Sequence, residues 1–315
     1  MNEDELFRRA REIDEYPTWC LFWPTGLFYG QGKWLKKYGF YPQWLPLPVW
    51  TDHSGPYVGD DIANPDKNEI KAPYILKMAE SETKKISEIH NIPCEQILSP
   101  FVYYRYTNNI KINKNAKGTV VFPTHSTKIV DAQFDEKKYI DMLYELPEQY
   151  HPITICMFYM DILQNKHKEF MKYFHVTTCG QREDNKFIER FYEILREHRY
   201  VTSNKIGSYT FYAVELGMPF FWYGPSYEII SKNIGKVTHD SSYMRYAKEL
   251  FSTKMDKPTR QQVDLVKKEL GVKDTISRLR AAYILYKSLL QFLWWKVKRK
   301  LIHRNKVNDL PSLLS

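Results

Sequence analysis

A strand-like run followed by a helix-like run recurs along the second half of the chain, and this alternation constrains the fold more than any other feature. Short apolar runs predict strands, and apolar residues spaced three or four apart predict helices. The expected strands are 119–122, 153–158, 175–178, 199–201 and 220–223, and the expected helices are 135–146, 163–174, 185–197 and 206–216. Such alternation is typical of a doubly wound parallel sheet.

A less regular alternation precedes it. Strands are expected at 19–23, 45–50, 72–78 and 99–106, with helices at 33–37 and 81–90. The polar, turn-rich stretch 107–118 separates the halves and predicts a domain boundary. A chain of 315 residues is long enough for two domains of about 150 residues. We therefore expect an α/β protein with Rossmann-like domains at 1–110 and 118–260, facing a central cleft, and a helical, basic carboxyl-terminal segment at 261–315.

Small polar residues follow each predicted strand of the second domain. Carboxyl ends of parallel strands meet in one crevice, and a helix amino terminus offers N–H groups to phosphate. The alternative is that these residues only cap helices, a role they favour in any fold. The candidate binding residues are His125, Ser126, Thr127, Gly180, Ser203, Asn204, Gly207, Ser208 and Ser226.

The segment TSNKIGSYTFYAVELGMPFFWYG, residues 202–224, combines a polar turn, a helix, a Gly-Met-Pro stop and an apolar strand. In this order it resembles the donor-binding element of GT-B fold glycosyltransferases that build bacterial capsule or lipopolysaccharide. The resemblance implies a nucleotide-sugar donor, with CMP-sugars slightly favoured, a glycan or lipid-linked acceptor, and no cofactor. It covers about two thirds of the chain and is most specific in this element.

Two departures from the resemblance bear on mechanism. The Glu-x7-Glu pattern of retaining enzymes is absent, because the aligned residues are Asn204 and Tyr212, and Tyr212 also stands where many UDP-sugar enzymes carry a ribose-binding Glu. These departures favour an inverting reaction, and the resemblance implies that no metal is needed. Such a reaction needs a general base from the first domain. Asp52 and His53, in the turn TDHSG, are the candidates, although Asp52 could merely cap its own turn.

Several alternatives remain open at this stage. Asp60 and Asp61 form a second acidic pair in the first domain, and a metal site built from them and His53 is conceivable. The same fold could instead transfer a CDP-glycerol-type group to a polymer, or bind a nucleotide-sugar without catalysis. No P-loop or GxGxxG motif supports a kinase or dinucleotide enzyme.

The formal charge of +9 is concentrated near the carboxyl end. An apolar aromatic run, 281–295, leads into KVKRKLIHRNK, 296–306, which holds six Lys or Arg and no acid. The segment from Trp294 to Lys306 is expected to contact an anionic membrane surface, with a packed structural helix as the alternative. Nucleic acid is not expected as a partner, because basic and aromatic residues do not interleave elsewhere.

The cysteines indicate the compartment. Cys20, Cys94, Cys156 and Cys179 are widely spaced and form no C-x-x-C pair, which suits a reducing environment. The charged amino terminus lacks the apolar core of a signal peptide, and no apolar run reaches the length of about 20 residues needed to span a bilayer. A cytoplasmic protein, peripheral on the inner face of the cytoplasmic membrane, is expected.

Overall fold

The structure is a computed structural model that describes residues 1–16, 18–22, 28–51, 72–233, 235–237 and 242–308. Within these ranges the chain forms two parallel sheets surrounded by helices, followed by carboxyl-terminal helices. The α/β class expected from the sequence is confirmed.

The elements before residue 118 build the smaller sheet. They are α1 (Glu3–Arg11), α2 (Gln31–Tyr38), β1 (Trp50–Thr51), β2 (Ile75–Lys77), α3 (Glu80–His90), β3 (Cys94–Gln96) and α4 (Pro100–Thr107). The three strands lie in the order β1-β2-β3 and pair in parallel, with Trp50 opposite Ile75 and Ile75 opposite Cys94.

The remaining elements build the larger sheet and its surroundings. They are β4 (Thr119–Val121), β5 (Val130–Phe134), α5 (Glu136–Tyr144), a 3-10 helix (Glu148–Tyr150), β6 (Ile153–Cys156), α6 (Tyr159–Leu163), α7 (His167–Met171), β7 (His175–Thr177), α8 (Phe187–Arg196), β8 (Tyr200–Ser203), α9 (Ser208–Leu216), β9 (Phe220–Trp222), β10 (Tyr227–Ser231), β11 (Gly235–Val237), α10 (Ser242–Leu250), α11 (Arg260–Glu269) and α12 (Arg278–Asn308).

The larger sheet has the strand order β7-β6-β4-β8-β9, and every neighbouring pair is parallel. Numbered by appearance, this is the Rossmann order 3-2-1-4-5, whose topological switch lies between β4 and β8. All five strands were expected from the sequence. Gly217 ends α9 in the left-handed conformation (φ +93°), also as expected.

The predicted pattern is wrong in several places. The expected helix 163–174 shortens to α7, His167–Met171, and in the described part of the expected strand 19–23 only Cys20 forms a bridge, to Leu47.

Residues 99–106 form helix α4 instead of a strand, and the first sheet gains β3 in its place. Ser99 at the amino cap and Pro100 in the first turn start this helix, although its Tyr, Phe and Val residues favour strands. The antiparallel ribbon β5-β10-β11, with alternating exposed residues, was not foreseen.

One hydrophobic core joins the helical layers of both sheets. Phe101 of α4 stacks on Tyr212 of α9 with ring centroids 4.2 Å apart, and it meets Phe191 of α8 edge to face at 5.4 Å. The amino-terminal helix α1 packs against α6, beside the larger sheet. The domain limits at 110 and 118 remain a prediction, but the two sheets share packed helices.

Candidate functional site

Three loops at the carboxyl edge of the larger sheet are fastened together by one side chain. Asn204, directly after β8, is fully buried. Its Oδ1 accepts hydrogen bonds from the backbone N–H and the hydroxyl of Thr124, both at 2.9 Å, in the loop after β4. Its Nδ2 donates to the carbonyl of Pro225, after β9, at 3.4 Å. Asn204 therefore positions the loops around the topological switch.

A glycine lets these loops approach each other. Gly224 has φ +134°, and a Cβ placed there would lie 2.7 Å from both the Cβ of Asn204 and the ring of Tyr139. The fully buried Ser203 is also engaged, because its hydroxyl accepts from the N–H of Lys205 at 2.9 Å and pairs with the Tyr209 hydroxyl at 2.8 Å. The two predicted residues of this turn, Ser203 and Asn204, are thus buried and hold the loop by hydrogen bonds to other protein groups.

Lys205 is the side chain that this loop presents. Its Nζ has neither a hydrogen-bond nor an ion-pair partner among the described residues, and it lies 5.8 Å from the ring centroid of Tyr227. Burial lowers the pKa of this ammonium to about 8. A half-buried cation that meets no carboxylate in the described ranges is favourable for an incoming anion, since the anion supplies the missing charge.

The amino terminus of α9 begins two residues later. Gly207 is the capping residue and has no side chain to accept from the first turn. The backbone N–H groups of Ser208 and Tyr209 find no acceptor among the described residues, whereas that of Thr210 donates to the carbonyl of Gly207. Open N–H groups and the positive end of the helix dipole favour negative charge at this point.

The loop after β4 holds the other group of predicted residues. The half-buried imidazole of His125 stacks on Phe158, which follows β6, with ring centroids 4.2 Å apart. Thr127 closes the turn, because its N–H donates to the carbonyl of Val130 at 2.7 Å. His125 thus belongs to the edge surface, and Thr127 to the turn that carries it.

Ser126 lies in a buried polar cluster, and its role in binding stays a prediction. Its N–H donates to the carboxylate of Asp161 at 3.2 Å. Its hydroxyl donates to Asp131 at 3.2 Å and accepts from Lys166 Nζ at 3.0 Å and from the Ala132 N–H at 3.1 Å. Burial raises the pKa of Asp161 to about 6. The cluster joins the loop after β4 to α6.

Gly180, after β7, serves a structural contact. Its φ is +88°, and a Cβ there would lie 2.6 Å from the guanidinium of Arg190 and 3.2 Å from the carbonyl of Arg9. Arg190 in turn donates to the Cys179 carbonyl at 3.1 Å and to the buried carboxylate of Asp184 at 3.0 Å. Gly180 therefore packs closely against α1, and its role in binding stays a prediction.

The chain preceding α2 reaches this edge from the other half of the molecule. The Tyr29 N–H donates to the carbonyl of Arg182, and the Arg182 guanidinium lies 4.3 Å from the ring centroid of Phe28. Gly30 (φ +75°) approaches so closely that an added Cβ would lie 2.4 Å from the carbonyl oxygen of Asn185. Residues from both halves of the chain thus meet beside the loop that follows β7.

The remaining predicted residues are Ser226 and the catalytic candidates of the first half. Ser226 is exposed between β9 and β10. The predicted catalytic residues Asp52 and His53, and the alternatives Asp60 and Asp61, lie outside the described residues, which end at Thr51 of β1 and resume at Ala72. In the described ranges, no group of three or more His, Cys, Asp or Glu is placed to hold a metal ion.

The position aligned with a ribose-binding Glu faces away from this edge. Tyr212 stacks on Phe101 and lies 3.5 Å from the Ser99 hydroxyl, while Glu215 binds Arg105 of α4. Both side chains serve the contact between α4 and α9. Sequence reasoning overlooked Lys205, although a cation between Asn204 and the start of a predicted helix was visible.

Some solved structures share weak similarity with this chain. No family model matches the chain, and a search of curated proteins finds no match. A structure of the wall teichoic acid polymerase TagF soaked with CDPG is similar at 14% identity and a TM-score of 0.39, over 72% of this chain. The structure of the UDP-GlcNAc 2-epimerase from Neisseria meningitidis bound to UDP-GlcNAc is similar at 11% identity and a TM-score of 0.38, over 70% of this chain. The structure of Anabaena HepE in complex with UDP-glucose is similar at 11% identity and a TM-score of 0.30, over 70% of this chain.

The chain spans 58%, 62% and 64% of the lengths of these three proteins, respectively. Similarity at this level assigns neither a family nor an activity.

Proposed function

We propose that this protein is a GT-B type glycosyltransferase that moves a sugar from a nucleotide-sugar donor to a bacterial surface glycan or a lipid-linked acceptor. One observation carries the proposal. Lys205, whose ammonium has no counter-ion among the described residues, lies two residues before Gly207, the amino cap of α9, at the switch point of a Rossmann-ordered sheet. This is where such sheets bind nucleotides.

The donor phosphate is proposed to lie between Lys205 and the first turn of α9. Its oxygens would accept hydrogen bonds from Lys205 Nζ and from the backbone N–H groups of Ser208 and Tyr209. The stacked rings of His125 and Phe158 are proposed to border the same ligand across the switch point. Asn204 and Gly224 act indirectly, by holding the three loops at the spacing the phosphate needs.

The reaction follows from what these groups stabilise. An acceptor hydroxyl attacks the anomeric carbon, the bond from that carbon to the donor phosphate oxygen breaks, and a base takes the hydroxyl proton. Negative charge grows on the departing phosphate, where Lys205 and the α9 amides would stabilise it. Asp52 or His53 remains the proposed base, with inversion at the anomeric carbon and no metal requirement.

A CDP-glycerol-type transfer to a polymer is the second candidate, because a site of this kind recognises the nucleotide phosphate and not the group attached to it. Purely non-catalytic binding of a nucleotide-sugar is the third. The two enzymes differ in their products: sugar transfer releases a nucleoside phosphate and forms a glycosidic bond, whereas glycerol-phosphate transfer releases CMP and forms a phosphodiester. Mass spectrometry of the acceptor distinguishes them.

Calorimetry with CMP, CDP, UDP and GDP tests the site. At least one nucleotide should bind, and Lys205→Met should weaken it about ten- to hundredfold, the usual range for losing a hydrogen bond to a charged group. Lys114→Met, which removes an exposed lysine from the segment before β4, is the matched control and should leave affinity unchanged. Absence of binding by every nucleotide, or equal affinities in the two variants, would contradict the proposal.

A further inference from the structure

Helix α12 has two apolar faces, and the body of the protein covers one of them. Ala281, Ile284, Leu285 and Ser288 are fully buried and pack toward α2 and its neighbours. On the other side lies the apolar stripe, defined as Leu290, Leu293, Trp294, Val297 and Leu301. Each of its members is about half exposed or more, and Trp294 reaches 68%.

The apolar stripe is continuous along the helix. Its residues are spaced by three or four positions, which at about 100° per residue confines them to an arc of about 100° on the helix surface. Tyr286 and Tyr283, each partly exposed, continue the same line toward the start of the helix. In the described part of the chain, no residue shields this stripe from solvent.

The charges around the stripe all have one sign. α12 contains no Asp or Glu from Arg278 to Asn308. Lys296 and Lys300 border the stripe on one side and Lys298 borders it on the other, and all three are exposed. An apolar strip between rows of lysines places hydrocarbon and ammonium groups at the depths where a bilayer offers acyl chains and anionic headgroups.

We propose that the apolar stripe docks α12 onto the surface of an anionic lipid bilayer, with the helix axis in the plane of the membrane. Leu290, Leu293 and Val297 would enter the acyl boundary, and Trp294 would lie at headgroup level, where amphipathic rings prefer to reside. The lysines would remain among the headgroup phosphates. This inference is independent of the nucleotide site.

Two other uses of the stripe fit the observations less well. A second copy of α12 would bring together two helices that carry lysines and no carboxylate, so like charges would oppose the pairing. A membrane-spanning role conflicts with the composition, because no helix among the described residues is both long and apolar enough to cross a bilayer.

Vesicle flotation of the full chain tests the docking. The protein should float with vesicles of phosphatidylcholine mixed with phosphatidylglycerol at low salt, and dissociate at high salt, where the Debye length shortens from roughly 10 Å to 3 Å. A variant with Leu290→Ser, Trp294→Ser and Val297→Ser should lose binding at least about tenfold. Trp44→Ser, which changes an aromatic residue 77% exposed elsewhere, is the control and should bind normally.

Two triple lysine variants test the contribution of charge to membrane binding. Lys296→Gln, Lys298→Gln and Lys300→Gln together should weaken binding about a hundredfold, at about fivefold for each lysine near the surface. The same change at Lys111, Lys114 and Lys117, which are also exposed, should have little effect. None of these positions lies on the packed face, and circular dichroism verifies that each variant is folded.

The inference fails if the protein does not float with the anionic vesicles at low salt, or if the stripe variant binds as well as the Trp44→Ser control. It also fails if light scattering shows a dimer that the stripe variant converts to a monomer, since the stripe would then join two copies.

Discussion

The contact between α4 and α9 gives a sharp stability prediction. Glu215, whose side chain is 3% exposed, accepts hydrogen bonds from Arg105 Nε at 2.7 Å and Nη2 at 2.5 Å, and from the Tyr106 hydroxyl at 3.0 Å. Glu215→Ala removes the acceptor of all three and leaves the Arg105 guanidinium, 17% exposed, without its carboxylate. The free energy of unfolding should fall by about 3–5 kcal/mol, as expected when one partner of a buried ion pair is removed.

Urea unfolding followed by circular dichroism measures this loss. Glu228→Ala is the control, because it breaks the Lys236 pair, in which both side chains are more than half exposed, and should cost about 0–1 kcal/mol. Combining Arg105→Met with Glu215→Leu should recover most of the loss, since no buried charge remains. A Glu215→Ala loss no larger than that of the control would refute the interpretation that this pair joins the two helical layers.

Three further predictions concern the carboxyl edge of the larger sheet. Burial raises the pKa of Asp161 to about 6, so the stability it contributes is fully present only below about pH 4 and is lost as pH rises through 6. Relative to Asp161→Asn, the wild-type protein should lose about 2 kcal/mol of unfolding free energy between pH 4 and pH 7, and a constant difference would contradict this. In urea unfolding, Gly224→Ala should lower the free energy of unfolding by about 1–3 kcal/mol more than Gly217→Ala does. Both glycines have positive φ, but only Gly224 has atoms within 4 Å of an added Cβ. Equal losses would show that close packing does not require a glycine at position 224. Burial lowers the pKa of Lys205 to about 8, so nucleotide affinity should fall as pH rises past 8. In Lys205→Met this dependence of affinity on pH should disappear, and an identical pH profile in both proteins would exclude Lys205 as a phosphate ligand.

The strands of the larger sheet could be predicted because their signals are local. Each is a short apolar run bounded by polar turns, and burial on both faces leaves little alternative. Helix α4 could not be found this way, because Phe101, Val102, Tyr103 and Tyr104 carry strand propensity and only tertiary packing overrides it. The sequence signal that pointed correctly was the Ser99-Pro100 pair at its start.

The binding role of the predicted site residues stays a prediction, but the structure shows what their side chains contact. The turn after β8 was identified, yet the residues favoured as ligands, Ser203 and Asn204, are buried and bonded to protein groups. Hydroxyl and amide side chains suit loop fastening as well as phosphate binding, and sequence alone does not separate the two. Lys205 emerges only when its lack of a counter-ion among the described residues becomes visible. Similarly, the exposed stripe on α12 depends on knowing which face is packed.

A crystal structure of the protein soaked with its tightest-binding nucleotide tests the proposed phosphate site most directly. We predict a phosphate oxygen within about 3 Å of Lys205 Nζ and of the backbone N–H of Ser208, with the nucleotide lying along the carboxyl edge between β4 and β8. A nucleotide bound with its phosphate away from Lys205 and α9, for example at the edge of the smaller sheet, would contradict it.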